Sequence, residues 1–116
     1  MRKINTQINY LYRDAENYKV WNSCVVLGLI SEAQVAEIIS CLDREEYFIP
    51  RQVGLPEKRF EKFDPEVDHC WFELSADGFE ATEKVSNIDM TVEQLVEMFC
   101  KAKNNWDDNI PLGGAV

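Results

Sequence analysis

His69 is the only histidine in the 116 residues, and it stands next to Cys70 among four cysteines, Cys24, Cys41, Cys70 and Cys100, separated by 17, 29 and 30 residues. A Cys/His nucleophilic pair needs the two side chains within hydrogen-bond reach. HCWFEL, from His69 to Leu74, reads as a strand, on which neighbouring side chains point to opposite faces. The thiol would then have to come from Cys24, Cys41 or Cys100, and Cys41 and Cys100 sit near the ends of apolar helix patterns, where a thiol acts as a small hydrophobe. Adding Asp64, Glu66 or Asp68 to His69 and Cys70 gives no spacing known for structural zinc. The run DPEVD lacks the alternating oxygen ligands and the glycine of a calcium loop. GxxxxGK[ST], GxGxxG and HExxH are all absent, and the paired Gly113 and Gly114 fall in a tail rather than between strand and helix. With 21 acids, pairs such as Glu45 and Glu46 carry no weight for acid/base work. The chemistry-bearing residues therefore predict no catalytic site, no metal and no cofactor.

What remains is recognition. Residues 1–58 hold eight acids and seven bases, and residues 59–116 hold thirteen acids and five bases, which places most of the net charge of −9 in the second half. Nucleic acid and anionic membranes need clustered Lys and Arg, so neither is an expected partner. A basic protein surface is. Glu80, Glu83, Glu93 and Glu97 are the acids expected to meet it. Trp106 is the expected aromatic anchor, drawn from a set that also contains Trp21, Trp71, Tyr10, Tyr12, Tyr18, Tyr47 and Phe48. Tyr47 and Arg51 are the residues around which a small-ligand pocket would form.

Positioning these residues takes a small set of elements. INTQINYLY, from Ile4 to Tyr12, alternates as a first strand, and YKVWNSCVVLGL, from Tyr18 to Leu29, reads as its antiparallel partner with a bulge or an end near Asn22 and Ser23. Ser31 and Gln34 have capping-box spacing ahead of a helix to Arg44, whose Val35, Ile38, Ile39 and Leu42 form a stripe that faces a core. Thr91 and Gln94 repeat the spacing ahead of a second helix with Val92, Leu95, Val96, Phe99 and Ala102 as its buried face. Between them, EEYFIPRQVGLPE is too proline-rich for a helix or central strand and too apolar for a loose linker. It reads as an ordered scaffold crossing the domain within a long connection from Glu45 to Asp68. KRFEKFDPEVD reads as a loop or irregular turn. After HCWFEL, the turn Ala76-Asp77-Gly78 and Phe79 to Val85 read as the return of a hairpin.

YLYRDAENYKVW, EYFIPRQVGLPE and FDPEVDHCWFEL together resemble an uncharacterised family of small acidic bacterial and phage-associated proteins. The resemblance spans residues 8–74 and implies a prokaryotic or phage setting, with no activity attached. The expectation is a single α+β domain over residues 1–106, with two amphipathic helices packed on one face of a small, mainly antiparallel sheet, and a flexible tail over 107–116. No apolar run reaches the ~20 residues that span a bilayer, no secretory signal opens the chain, and the thiols are expected reduced, so the reading is cytoplasmic. The leading functional expectation is a non-enzymatic protein-binding module, such as a phage or mobile-element inhibitor that sets its acidic half against a basic surface of a host defence or nucleic-acid-binding protein. The alternatives are a ligand-binding protein or enzyme with a pocket near Tyr47 and Arg51, and a structural homodimer subunit.

Overall fold

The computed structural model describes residues 4–13, 16–57 and 71–107. Strand β1 (Asn5–Arg13) pairs antiparallel with β2 (Lys19–Val26), with Ile8 opposite Cys24 and Leu11 opposite Trp21. The register runs unbroken through Asn22 and Ser23, so the expected bulge is absent from this pair. Alternation then sorts the side chains. Ile8, Tyr10, Tyr12, Cys24 and Val26 face the core, whereas Gln7, Asn9, Arg13, Lys19, Trp21 and Ser23 face outward with Leu11.

Past β2 the chain turns at Gly28, whose φ of 97° suits a residue without a Cβ. The turn is held by β1 side chains. Asn5 accepts from the Gly28 N–H at 3.1 Å, and Thr6, fully buried, donates to the Gly28 carbonyl at 2.7 Å while accepting from Ile30 at 2.9 Å. The outer edge of β2 is closed at its end. Asn87 exchanges bonds with Val25, and Leu27 donates to Met90 and accepts from Val92.

Helix α1 (Glu32–Cys41) and helix α2 (Val92–Ala102) each open on the expected capping box, Ser31 with Gln34 and Thr91 with Gln94. Val92, Leu95, Phe99 and Ala102 of α2 are buried as read from the sequence. The stripe of α1 is only half covered: Ile38 is fully buried and Leu42 nearly so, but Val35 and Ile39 remain partly exposed. Arg44 is not in the helix. It and Glu45 have φ of 54° and 58°, a left-handed pair that swings the chain back so that Asp43 bonds Tyr47 in both directions.

EEYFIPRQVGLPE is scaffold. Tyr47–Phe48 forms β3 and Pro50–Val53 a 3₁₀ turn ending at Gly54, and Phe48, Ile49, Pro50, Val53 and Leu55 are all buried. Phe48 meets Tyr10, Phe72, Phe99 and Trp106 with ring centroids 5.4–6.5 Å apart, joining strands to helix α2. Burying a side chain of this size contributes about 2–3 kcal/mol, which accounts for the apolar character of the segment. The long connection thus carries short structure of its own as far as Glu57. KRFEKFDPEVD, with His69 and Cys70, lies outside the described residues.

The expected hairpin after His69 is replaced by a different arrangement. β4 (Phe72–Glu73) and β5 (Phe79–Thr82) both pair antiparallel with β1, one after the other along the same edge. Leu11 faces Glu73 and Ile8 faces Phe79, so between these pairs two residues of β1 lie opposite five of the returning chain, and the surplus of three is taken up by the 3₁₀ turn Ala76–Gly78. An Asp-Gly pair often reverses the chain into a hairpin. Here Gly78 sits so close to β1 that a Cβ would lie 2.4 Å from the Asn9 carbonyl oxygen. With β3 beside β4, the sheet has the order β2-β1-β4-β3, and β5 continues the line of β4. Two helices on one face of a mainly antiparallel sheet make the fold α+β. Among the described residues no helix is long and apolar enough to cross a membrane.

Candidate functional site

The helices cover one face of the sheet, and the other carries Trp21. Its side chain is 66% exposed, an unusual position for the largest apolar residue type. Cross-strand pairing sets Trp21 beside Leu11, and Leu11 beside Glu73. Together with Asn9 and the turn at Ser75, Asp77 and Gly78 they surround a hollow of about 380 Å³. Its charged groups are all acidic: Glu46, Glu73 and Asp77. Glu73 is held by Arg13, Nε to Oε2 at 2.9 Å, which fixes one wall. Glu46 and Asp77 are exposed and have no ion-pair partner among the described residues. An indole face, an apolar floor and two solvated carboxylates suit the stem and head of a Lys or Arg side chain, through cation–π contact and ion pairing.

The acids expected from the sequence are divided between layers. Glu80 is on β5, where its carboxylate accepts from Asn9 at 3.4 Å, and Glu83 follows just after that strand. Glu93 and Glu97 are on the solvent side of α2, across the core from the open sheet face, and Glu97 pairs with Lys101 at 3.1 Å. The four therefore do not form one patch. Trp106 is half-buried, stacked edge-on to Phe48 and Phe99, and its indole N–H donates to the Cys41 carbonyl at 3.0 Å, so it holds the end of α2 to α1. Tyr10, Tyr12 and Phe48 are core residues.

Arg51 is occupied within its own loop. The Glu57 carboxylate receives its backbone N–H at 2.8 Å and its guanidinium at 2.9 Å, closing the segment from Pro50 to Glu57. Neither Arg51 nor Tyr47 lines the Trp21 hollow. Cys24 and Cys41 are buried free thiols, and Cys100 is an exposed one whose Sγ lies 4.0 Å from that of Cys41. Desolvation against α1, then Cys41 and Glu37, push the Cys100 thiol up to about 11, away from thiolate reactivity near neutral pH. Among the described residues no group of three or more His, Cys, Asp or Glu could hold a metal ion.

Trp21 had a readable signal. In KVWNS, Lys19, Trp21 and Ser23 share one face of the strand and Val20, Asn22 and Cys24 the other, so the tryptophan travels with two polar neighbours. Comparison of the chain with protein-family models, with curated proteins and with solved structures finds no match.

Proposed function

We propose that this protein is a non-enzymatic binding module that engages a basic surface of a partner protein through the open face of its sheet, with Trp21 as the anchor. The observation that carries this reading is Trp21 itself, two-thirds exposed over an apolar floor and beside carboxylates whose hollow contains no base. Exposed tryptophans ringed by polar groups are the residues on which binding energy concentrates at interfaces. Acidic surroundings speed the encounter and select against acidic competitors. The resemblance to small acidic bacterial and phage-associated proteins extends the reading to an inhibitor of a host defence or nucleic-acid-binding protein, whose basic surface would be blocked.

The test compares wild type with Trp21→Ala and Asp77→Lys. Host proteins retained by the wild type are identified and purified, and their affinities measured by calorimetry at two salt concentrations. Trp21→Ala is expected to weaken binding by about 2 kcal/mol or more, and Asp77→Lys to weaken it most at low salt. Affinity indifferent to both substitutions and to salt sinks the reading.

A further inference from the structure

A second surface, on the edge of the sheet rather than its face, has a different geometry. Between α1 and β5 runs a groove of about 590 Å³, floored by Val35, Ala36 and Ile39 of the helix and by Phe79 and Ala81 of the strand. Val35 and Ile39, the part of the α1 stripe left partly exposed, form its helical wall. Its charged lining is Glu32, Glu45 and Glu80, with no base.

The backbone bordering this groove is open. Val25 exchanges its hydrogen bonds with Asn87 on the side away from β1. In an antiparallel ladder the direction alternates, so Cys24 and Ile8 bond each other, Gln7 turns to Glu80, and Asn5 turns to Thr82. Phe79 and Ala81 are left pointing outward. The Phe79 N–H is taken by the Ala76 carbonyl, but the Phe79 carbonyl and both backbone groups of Ala81 have no partner among the described residues. An open edge lying beside a helix-walled apolar groove is the arrangement that accepts an added strand.

We infer that this groove binds an extended peptide of a partner protein, in which apolar residues alternate with Lys or Arg, by strand addition to β5. The peptide's inward residues fill the groove against Val35 and Ile39, and its outward residues come opposite Glu80. Glu32 at the start of α1 and Glu45 beyond its end set the length. Ten residues of helix rise about 15 Å, which an extended chain covers in about four or five residues. A second copy of this chain is a poor occupant, because pairing β5 with β5 brings two carboxylate rims together. The inference is independent of the Trp21 hollow.

The test uses a fluorescein-labelled heptapeptide alternating lysine and valine, the same peptide N-methylated on the backbone nitrogens of one edge or of the other, and a third with glutamate in place of lysine. Fluorescence anisotropy is expected to show saturable binding of the first, with amide shifts at residues 79–82 and along α1. Loss of one interchain hydrogen bond weakens binding by about tenfold, so one N-methylated peptide and Ala81→Pro should each show a drop of that order. The glutamate peptide should not bind, and Trp21→Ala should bind the lysine peptide normally. The Ala81 N–H is not used by the sheet, and the N-methylated probes test the same bond on unaltered protein should the proline disturb the strand. Absence of saturable binding at millimolar peptide, equal binding of both N-methylated probes, or shifts confined to the surroundings of Trp21 overturns the inference. So does self-association of the peptide-free protein through residues 79–82.

Discussion

Tyr10 and Cys24 show how individual side chains fix this protein's response to pH. Both are nearly inaccessible and neighbour each other, and the Tyr10 hydroxyl donates to the Pro56 carbonyl. Burial holds the Tyr10 phenol far above its ordinary range, and it pushes the Cys24 thiol from 9.0 up to about 11, against a smaller lowering by the neighbouring Tyr10 hydroxyl. In the unfolded chain these groups ionise near their ordinary values, and in the folded one they stay neutral to higher pH. Their contribution is therefore complete below pH ~9 and disappears as pH rises through the folded value, by about 3 kcal/mol for Cys24. Urea midpoints should stay level around neutrality and fall between pH ~9 and ~11, less steeply in Cys24→Ala. A level midpoint across that range in the wild type would contradict the neutral pair. Cys24 was legible as a buried thiol, but its partner was not, since Tyr10 reaches it only through the register of β1 with β2. The inward packing of Trp106 is hidden from the sequence for a related reason. Its bond to Cys41 spans 65 residues and leaves no local trace.

At the scale of elements, the helices were legible because their determinants are local: a hydroxyl, a glutamine three residues on, and an apolar stripe. The strands after His69 were not, because two short segments paired to a distant third leave no mark of which neighbour each will choose. Gly78 decides the matter physically. Its turn packs on the Asn9 carbonyl, and a Cβ there would also lie 3.2 Å from Leu74. Gly78→Ala must push the turn off β1 or part β4 from β5. The expected loss is about 2–3 kcal/mol of unfolding free energy, read by chemical denaturation, with amide exchange accelerated first at Asn9 and Leu11. Wild-type stability in that variant would mean that the close approach does not hold the strands. The half-covered stripe of α1 carries the same lesson: periodicity shows which residues form the face, and only the assembled layers show that Ile38 and Leu42 are covered while Val35 and Ile39 are not.

For the molecule as a whole, charge was legible in amount but not in placement. The carboxylates read as one acidic half are parted by the sheet, with Glu80 on the side of the strands and Glu93 and Glu97 beyond α2, so a long-range field is shared by all while direct contact belongs to few. The interruption between β4 and β5 bears on this division of labour. Excision of Ala76, Asp77 and Gly78 would set Leu74 opposite Tyr10, Ser75 opposite Asn9 and Phe79 still opposite Ile8, with every side chain keeping its present face. Strand pairing with β1 thus asks nothing of those three residues, whereas the Trp21 hollow takes a wall from Asp77 and the groove takes one from Ala76. A shortened chain of this kind should melt no lower than the wild type by circular dichroism and lose recognition at both surfaces. If it unfolded instead, the turn would belong to the fold. Ala76 and Asp77 put the hollow and the groove on either side of a single turn, so a change of length there alters both cavities at once.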